Sequence, residues 1–556
     1  MKRFLVALFA LLLVPASAIA AGGVVSSADP RATAAGQEIL RAGGSAADAA
    51  MAMMLALTVV EPQSSGIGGG GLFVHHDGKT GLIETVDGRE TAPAAATPRR
   101  FLDADGKPMP FLQAVGGGLS VGVPGNIRLM EKVHARWGKV EWARLFDPAI
   151  RLAEQGFVVN RTLAGRVSGM ARFWDDFPAI RALYFRDGRP VAEGETLTNP
   201  ALAAMLKRLA AQGPDAFYSG QTADAMVAAV SNAPRNATPF TLADLAGYQA
   251  KERAAVCAPY RGYRVCGMGP PSSGATTILQ ILGMLERFDM KKMGKDDPHS
   301  WHLIAEAMML AYADREKYLG DRDFVSVPVA GLIDPAYLAG RSRLISPSRS
   351  LARYEAGSPP GAQPRTAAIS GEVAGTTHFV ASDGDGDVAT MTSTVEGPFG
   401  SQLVAEGMVL NNELTDFTFA PEKDGAPVAN RVEAGKRPLS SMSPTIVYDA
   451  SGRVVLALGS AGGKRIIMHV AKTLIGVMDF GLSAQDAIAL PNIYFGDGKV
   501  LVERDTALAA MAPAMSRLGR EVVPSDVTSK VNAIEWTTAG WRGAADPRSE
   551  GLALAE

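Results

Sequence analysis

The stretch Gly375-Thr376-Thr377-His378-Phe379-Val380-Ala381-Ser382, closed by Asp383-Gly384-Asp385-Gly386-Asp387 and followed by Val388 to Thr394, decides how this chain is read. Two runs of period-two residues, rich in β-branched side chains, flank a turn of Asp and Gly. That is a β-hairpin with both strands in a hydrophobic sheet. The turn begins like a calcium loop, D-x-D-x-D, but Val388 stands where that loop needs glycine and Thr394 where it needs a bidentate acid, so a plain turn is expected. Upstream, residues 346 to 368 are dominated by Ser, Pro, Arg, Gly and Ala and read as a mobile, exposed linker. A linker that runs straight into a buried strand is unusual, and it draws attention to the Gly375–Thr376 bond.

Further strands are expected around residues 443 to 448, 454 to 458 and 72 to 74. Helical spacing covers residues 30 to 42 and 45 to 60, separated by Gly43-Gly44. Asp297-Pro298 opens another helix that runs to Tyr318, with proline suited to its first turn. The middle, about 125 to 345, is helix-rich. Helices in the first part and strands in both parts indicate layered α/β rather than separate beads. The glycines Gly66 to Gly71 precede a strand and lack the lysine and hydroxyl of a phosphate loop, so they are read as close backbone packing. His75-His76 is read as a surface or strand-edge pair, not as metal ligands.

Of 556 residues, 55 are Lys or Arg and 57 Asp or Glu, a net charge of −2 that gives no electrostatic case for nucleic acid. Lys2 and Arg3 precede an apolar run from Phe4 to Val14 and an Ala18-Ile19-Ala20 site, a secretory signal over residues 1–20. The expected location is periplasmic or secreted, with no membrane in the mature form. Cys257 and Cys266 are the only cysteines; they are either a local disulfide, which an oxidising compartment permits, or two buried thiols. Their spacing gives no metal site.

No G-x-S-x-G elbow and no S-x-x-K is present. A cut between Gly375 and Thr376 would leave Thr376 with a hydroxyl and a free α-amine, whose reference pKa near 8 lets it serve as base for that hydroxyl. The alternative is two ordinary strand residues.

From Pro30 onward the chain resembles the γ-glutamyltranspeptidase (glutathione hydrolase) precursors, which are N-terminal nucleophile hydrolases. The resemblance is carried by Gly68 to Gly71, Gly88-Arg89-Glu90-Thr91-Ala92-Pro93, Pro270-Pro271-Ser272-Ser273-Gly274, Ala311-Tyr312-Ala313-Asp314-Arg315 and Thr376-Thr377-His378. It extends through Leu410-Asn411-Asn412-Glu413, the run Lys436 to Thr445, and Ala544-Ala545-Asp546-Pro547-Arg548, in the family's order.

The resemblance implies a four-layer αββα sandwich, with a large subunit 21–375 and a small subunit 376–556 that share one core. It implies cleavage of γ-glutamyl amides through an ester on Thr376 after autocatalytic cleavage, with no metal and no cofactor. Glutathione and other γ-glutamyl compounds are the implied donors; water, amino acids or dipeptides are the acceptors. Thr394 is implied to hydrogen-bond the nucleophile, and the Gly462 and Gly463 amides to meet the oxyanion. Arg89, Ser440 and Ser441 are implied to hold the substrate α-carboxylate, and Glu413 and Asp416 its ammonium, with Glu396 where the family often has asparagine. The loop 417–435 matches the family's lid but has no tyrosine, and Ala461 and Lys464 replace commoner residues beside the glycine pair. The alternatives are a cephalosporin or glutaryl acylase on this scaffold, whose substrate lacks the ammonium, and a γ-glutamyl-binding protein without turnover.

Overall fold

The structure, a computed structural model of the chain, describes residues 22–368, 371, 375–496 and 498–556. The expected signal, residues 1–20, lies outside them.

Thirteen strands build two facing antiparallel sheets. In chain order they are β1 Val24–Ser27, β2 Gly70–His76, β3 Ile83–Asp87, β4 Lys251–Arg253, β5 Val256–Tyr260, β6 Tyr263–Gly267, β7 Thr376–Ser382, β8 Val388–Thr394, β9 Thr445–Tyr448, β10 Val454–Gly459, β11 Asn532–Thr537, β12 Gly540–Ala545 and β13 Leu552–Ala555. The first sheet runs β13, β1, β7, β8, β2, β3, β4; the second runs β12, β11, β10, β9, β6, β5. Six main helices complete the frame: α1 Pro30–Arg41, α2 Ala46–Val60, α3 Asn126–Trp137, α4 Gly274–Leu285, α5 Pro298–Tyr318 and α6 Arg465–Met478.

Strand alternation sorts side chains between two cores. Phe379 and Ala381 of β7 join α1, α2 and α3 in one core, while Val380 joins α4, α5 and α6 in the other, between and behind the sheets. The result is helices, sheet, sheet, helices, the expected αββα sandwich. Both sheets mix strands from before and after Thr376, so the two halves of the chain share one body.

Helix α2 is buried along its whole length, which its Ala- and Met-rich sequence permits. It starts on a capping box in which Ser45 and Asp48 satisfy each other's backbone N–H. The β7–β8 hairpin has the expected bounds, pairing Thr376 with Thr394 and Ser382 with Val388. Its turn is a plain one: Asp383 Oδ1 accepts from the N–H groups of Asp385 and Asp387 at 3.0 and 3.1 Å, and Lys139 pairs with Asp385 at 2.7 Å. Cys257 and Cys266 face each other across β5 and β6 and form a disulfide.

Two expectations change. His75 and His76 are not at a surface or edge; they are buried in β2, a central strand. His75 stacks on Trp137 at 4.3 Å, and His76 meets Tyr448 edge-on at 5.3 Å on the opposite face. The segment 346–368 is not a loose linker either. Its backbone is tied to α5: Gly357 N–H donates to Asp314 at 2.7 Å, Leu351 N–H to Glu306 at 3.0 Å, and Tyr318 donates its hydroxyl to the Gly357 carbonyl at 2.7 Å. Polar side chains of a helix compensate for the few apolar residues in the segment.

Candidate active site

Thr376 is the first residue of β7 and faces the second sheet, as do His378 and Val380. The backbone is continuous from Gly375 to Thr376, so this is the uncut chain. Thr376 donates its hydroxyl to Thr394 Oγ1 at 3.3 Å, and Thr394 donates in turn to the Gly375 carbonyl oxygen at 2.8 Å. Glu396 N–H donates to Thr394 Oγ1 at 2.8 Å. Thr394 thus has its two lone pairs and its one proton all engaged, which fixes its rotamer. Gly69 makes this approach possible: a Cβ there would lie 2.0 Å from the Thr394 carbonyl oxygen. The expected close backbone packing of this glycine run is what the structure shows.

Next to Thr376 is a small cavity of about 20 Å³. Nine of the ten expected site residues line it: Thr376, Thr394, Arg89, Glu396, Glu413, Asp416, Ser440, Ser441 and Gly463. The tenth, Gly462, faces a neighbouring cavity that also reaches Thr376. Segments hundreds of residues apart therefore converge on one point.

Arg89 follows β3 and is 1% exposed. Its Nη1 pairs with Glu413 and its Nη2 with Asp416, while Nη2 also donates to the Leu439 carbonyl at 2.9 Å. Sequence reasoning assigned Arg89 and the two acids to opposite ends of a ligand; the uncut structure joins them directly. Burial alone would lower the Arg89 pKa, yet Glu413, Asp416 and Glu90 together raise it, so the guanidinium stays charged. Burial pushes Glu413 well above the usual carboxyl range, against the pull of Arg89 and with the push of Glu90 and Glu396. Glu90, fully buried 4.0 Å from Arg89 Nη1, is raised by burial to about 7. One guanidinium thus stands among several carboxyl groups, two of which burial holds toward their protonated form.

The serine pair is held from behind. Ser273 donates both its N–H and its hydroxyl to the Ser440 carbonyl at 2.7 Å, and Arg315 Nη2 donates to Ser441 Oγ at 2.8 Å. This explains why the Pro270–Gly274 and Ala311–Arg315 stretches accompany the serines. Asn411 and Asn412 brace the acids: Asn412 Nδ2 donates to Glu396, and Asn411 Oδ1 accepts from Glu413 N–H at 3.1 Å. Opposite, β10 ends at Gly459, whose Cβ, were there one, would lie 2.4 Å from the His378 ring. The chain then passes through Gly462 and Gly463, at φ +130° and +58°, into α6. No hydrogen bond from the N–H of either glycine occurs among the described residues, and each glycine shares a cavity wall with Thr376. His469 sits beneath this loop, its Nδ1 3.0 Å from Ser460 Oγ and 3.2 Å from the Ala461 carbonyl.

Glu90, Arg315, His378 and His469 were not singled out from the sequence. Glu90 and Arg315 lie inside the quoted motifs, beside or behind the residues chosen. In the loop 417–435, Phe419 stacks on Phe101 at 4.4 Å.

Known proteins resemble this chain over most of its length. The family model described as Gamma-glutamyltranspeptidase matches residues 32–556. The glutathione hydrolase proenzyme of Bacillus subtilis (strain 168) is 35% identical over 547 residues, covering 96% of this chain and 91% of that protein. Among solved structures, the Helicobacter pylori gamma-glutamyltranspeptidase is 36% identical, with a TM-score of 0.57, over 60% of this chain and 94% of that one. A cephalosporin acylase from Bacillus halodurans is 26% identical with a TM-score of 0.85 over 99% of both chains.

Proposed function

The chain belongs to the gamma-glutamyltranspeptidase family, and from that membership we propose how it works: a proenzyme that cuts itself between Gly375 and Thr376 and then cleaves γ-glutamyl amides, glutathione among them. The observation that carries this reading is the mixed charge of one buried cavity. Arg89 and the Ser440 and Ser441 hydroxyls suit a carboxylate; Glu413, Asp416 and Glu396 suit an ammonium. A group with both is the α-amino-acid end of a γ-glutamyl compound. A glutaryl side chain has no ammonium and would bring these acids no cationic partner beyond Arg89.

After the cut, the Thr376 α-amine takes the proton of its own hydroxyl, and the oxygen adds to the γ-carbonyl carbon. The oxyanion is met by the Gly462 and Gly463 N–H groups. The leaving amine departs with the proton returned by the Thr376 α-ammonium, leaving a γ-glutamyl ester on Thr376. Water, an amino acid or a dipeptide then attacks that ester and regenerates the hydroxyl. The large subunit is residues 21–375 and the small one 376–556, and the signal at 1–20 directs the proenzyme to the periplasm or the exterior. No helix among the described residues is long and apolar enough to cross a membrane.

Intact mass of the purified protein tests this reading: two chains, one starting at Thr376, are expected, together with release of aniline from a γ-glutamyl anilide. A single chain with no such activity is the contrary result.

A further inference from the structure

His469 has no role in the account so far, yet it grips the loop that carries the glycine pair. It lies in the first turns of α6, is 1% exposed and lines neither cavity beside Thr376. It therefore does not touch a substrate held in either. Its Nδ1 lies 3.2 Å from the Ala461 carbonyl oxygen and 3.0 Å from Ser460 Oγ, and Ser460 Oγ lies 3.1 Å from the same carbonyl oxygen. The ring also packs under Gly462: a Cβ there would lie 3.2 Å from His469 Cε1, at a φ of +130°.

Counting partners selects the ring's tautomer. With the proton on Nδ1, both Nδ1–H and the Ser460 hydroxyl donate to the Ala461 carbonyl and fill its two lone pairs, and only a bare Nε2 is left over. With the proton on Nε2, that N–H is a buried donor without an acceptor, and the single Ser460 proton has to serve both Nδ1 and the carbonyl. The first arrangement leaves fewer buried groups unpaired. Burial, with Lys472 adding to it, lowers the His469 pKa to about 3, so the ring is neutral and contributes direction rather than charge.

The held carbonyl belongs to the same peptide unit as the Gly462 N–H. That unit is trans and planar, so its carbonyl and its N–H point in opposite directions. We infer that His469 is a positioning residue for acyl transfer: by drawing the Ala461 carbonyl toward α6 it turns the Gly462 N–H the other way, to the cavity wall that Gly462 shares with Thr376. There the N–H meets the oxyanion without having to reorient as charge develops. The inference rests on the proposed γ-glutamyl transfer and adds what aims one of its two oxyanion donors. It does not extend to self-cleavage, where the oxyanion forms on the Gly375 carbonyl held by Thr394.

Two reactions in one protein separate this role from a merely structural one. His469→Phe keeps a ring and loses the donor; His469→Asn puts an amide N–H where Nδ1–H was. His469→Phe should self-cleave at the wild-type rate and bind the product glutamate with the wild-type Ki. Its kcat for a γ-glutamyl anilide should fall by roughly 10–100-fold, somewhat less than removal of an oxyanion donor costs. His469→Asn should regain most of kcat. Unchanged kcat in His469→Phe overturns the inference, as does a loss matched by slower self-cleavage or weaker glutamate binding, or His469→Asn no better than His469→Phe. Should His469→Phe fail to fold, nitrogen NMR of histidine-labelled, processed wild type decides, with the His469 signal identified by its absence from His469→Asn. Protonated Nδ1 with a bare Nε2 is expected, and the Nε2–H form overturns the inference while leaving the activity intact. Processed wild type that releases no aniline from the anilide overturns the proposed function and this inference with it.

Discussion

The Thr394 hydroxyl donates to the Gly375 carbonyl oxygen at 2.8 Å while receiving the Thr376 hydroxyl at 3.3 Å. One side chain therefore touches both the nucleophile and the carbonyl that it would attack. It can accept the proton leaving Thr376 as it gives its own to the oxygen that gains charge. Thr376→Ala should remain a single full-length chain. Thr394→Ala should self-cleave more slowly by roughly 100-fold, as expected when one oxyanion donor is lost, and Thr394→Ser should recover most of the rate. Time courses of precursor loss on denaturing gels check this; rapid cleavage of Thr394→Ala is the contrary outcome.

Arg89→Lys keeps the charge but loses the fork that now spans Glu413, Asp416 and the Leu439 carbonyl. Donor binding should weaken by about 1.5–3 kcal/mol, the worth of a charge-assisted hydrogen bond. Self-cleavage should persist, because Arg89 does not touch the Gly375 carbonyl. Steady-state kinetics with a γ-glutamyl anilide measures the loss.

Asp416 is expected to separate γ-glutamyl from glutaryl specificity. Wild type should strongly prefer a γ-glutamyl anilide over the matching glutaryl anilide. Asp416→Asn should narrow that preference, mainly by losing γ-glutamyl activity. Glu396, on the same cavity wall, limits the size of the effect. Equal or better glutaryl turnover by wild type would favour acylase chemistry instead.

His75 provides a pH test of stability. Burial lowers its pKa to about 3, and neither ring nitrogen has a hydrogen-bond partner. The unfolded chain takes up a proton near pH 6.5 that the folded chain refuses. The folded state is therefore unaffected above that pH and loses stability as pH falls from 6.5 toward 3. His75→Phe should keep the stack on Trp137 and remove this acid sensitivity, a gain of about 2 kcal/mol at pH 5 relative to pH 7.5. Chemical denaturation of both proteins at the two pH values measures it.

The hairpin and the long helix were legible in the sequence because each is set by local pattern: alternation around an Asp-Gly turn, and Asp-Pro opening a helical run. The site was legible as a set of residues but not as a geometry. Nothing local to Arg89 says that its guanidinium rests on acids 324 and 327 residues away. The burial of His75 was hidden because adjacent histidines in a strand face opposite ways, each finding its own aromatic partner. His469 gave no signal at all, since a ring that grips a backbone carbonyl becomes visible only once its surroundings are known. The linker misled because composition counts apolar residues, whereas what holds 346–368 is polar contact with α5.

Strand β7 lies inside the first sheet, between β1 and β8, and both cysteines precede it in the chain. A cut before Thr376 therefore gives two polypeptides with no covalent tie between them, woven through both sheets. Folding information that was written in one chain is then divided between two. Such an assembly resists falling apart because separation would strip strands from the middle of a sheet, but once denatured it has lost the connection that guided its formation. The mature form is thus a product that folds once: its lifetime is governed by how slowly it unfolds, and recovery after unfolding should be far poorer than that of the uncut Thr376→Ala chain.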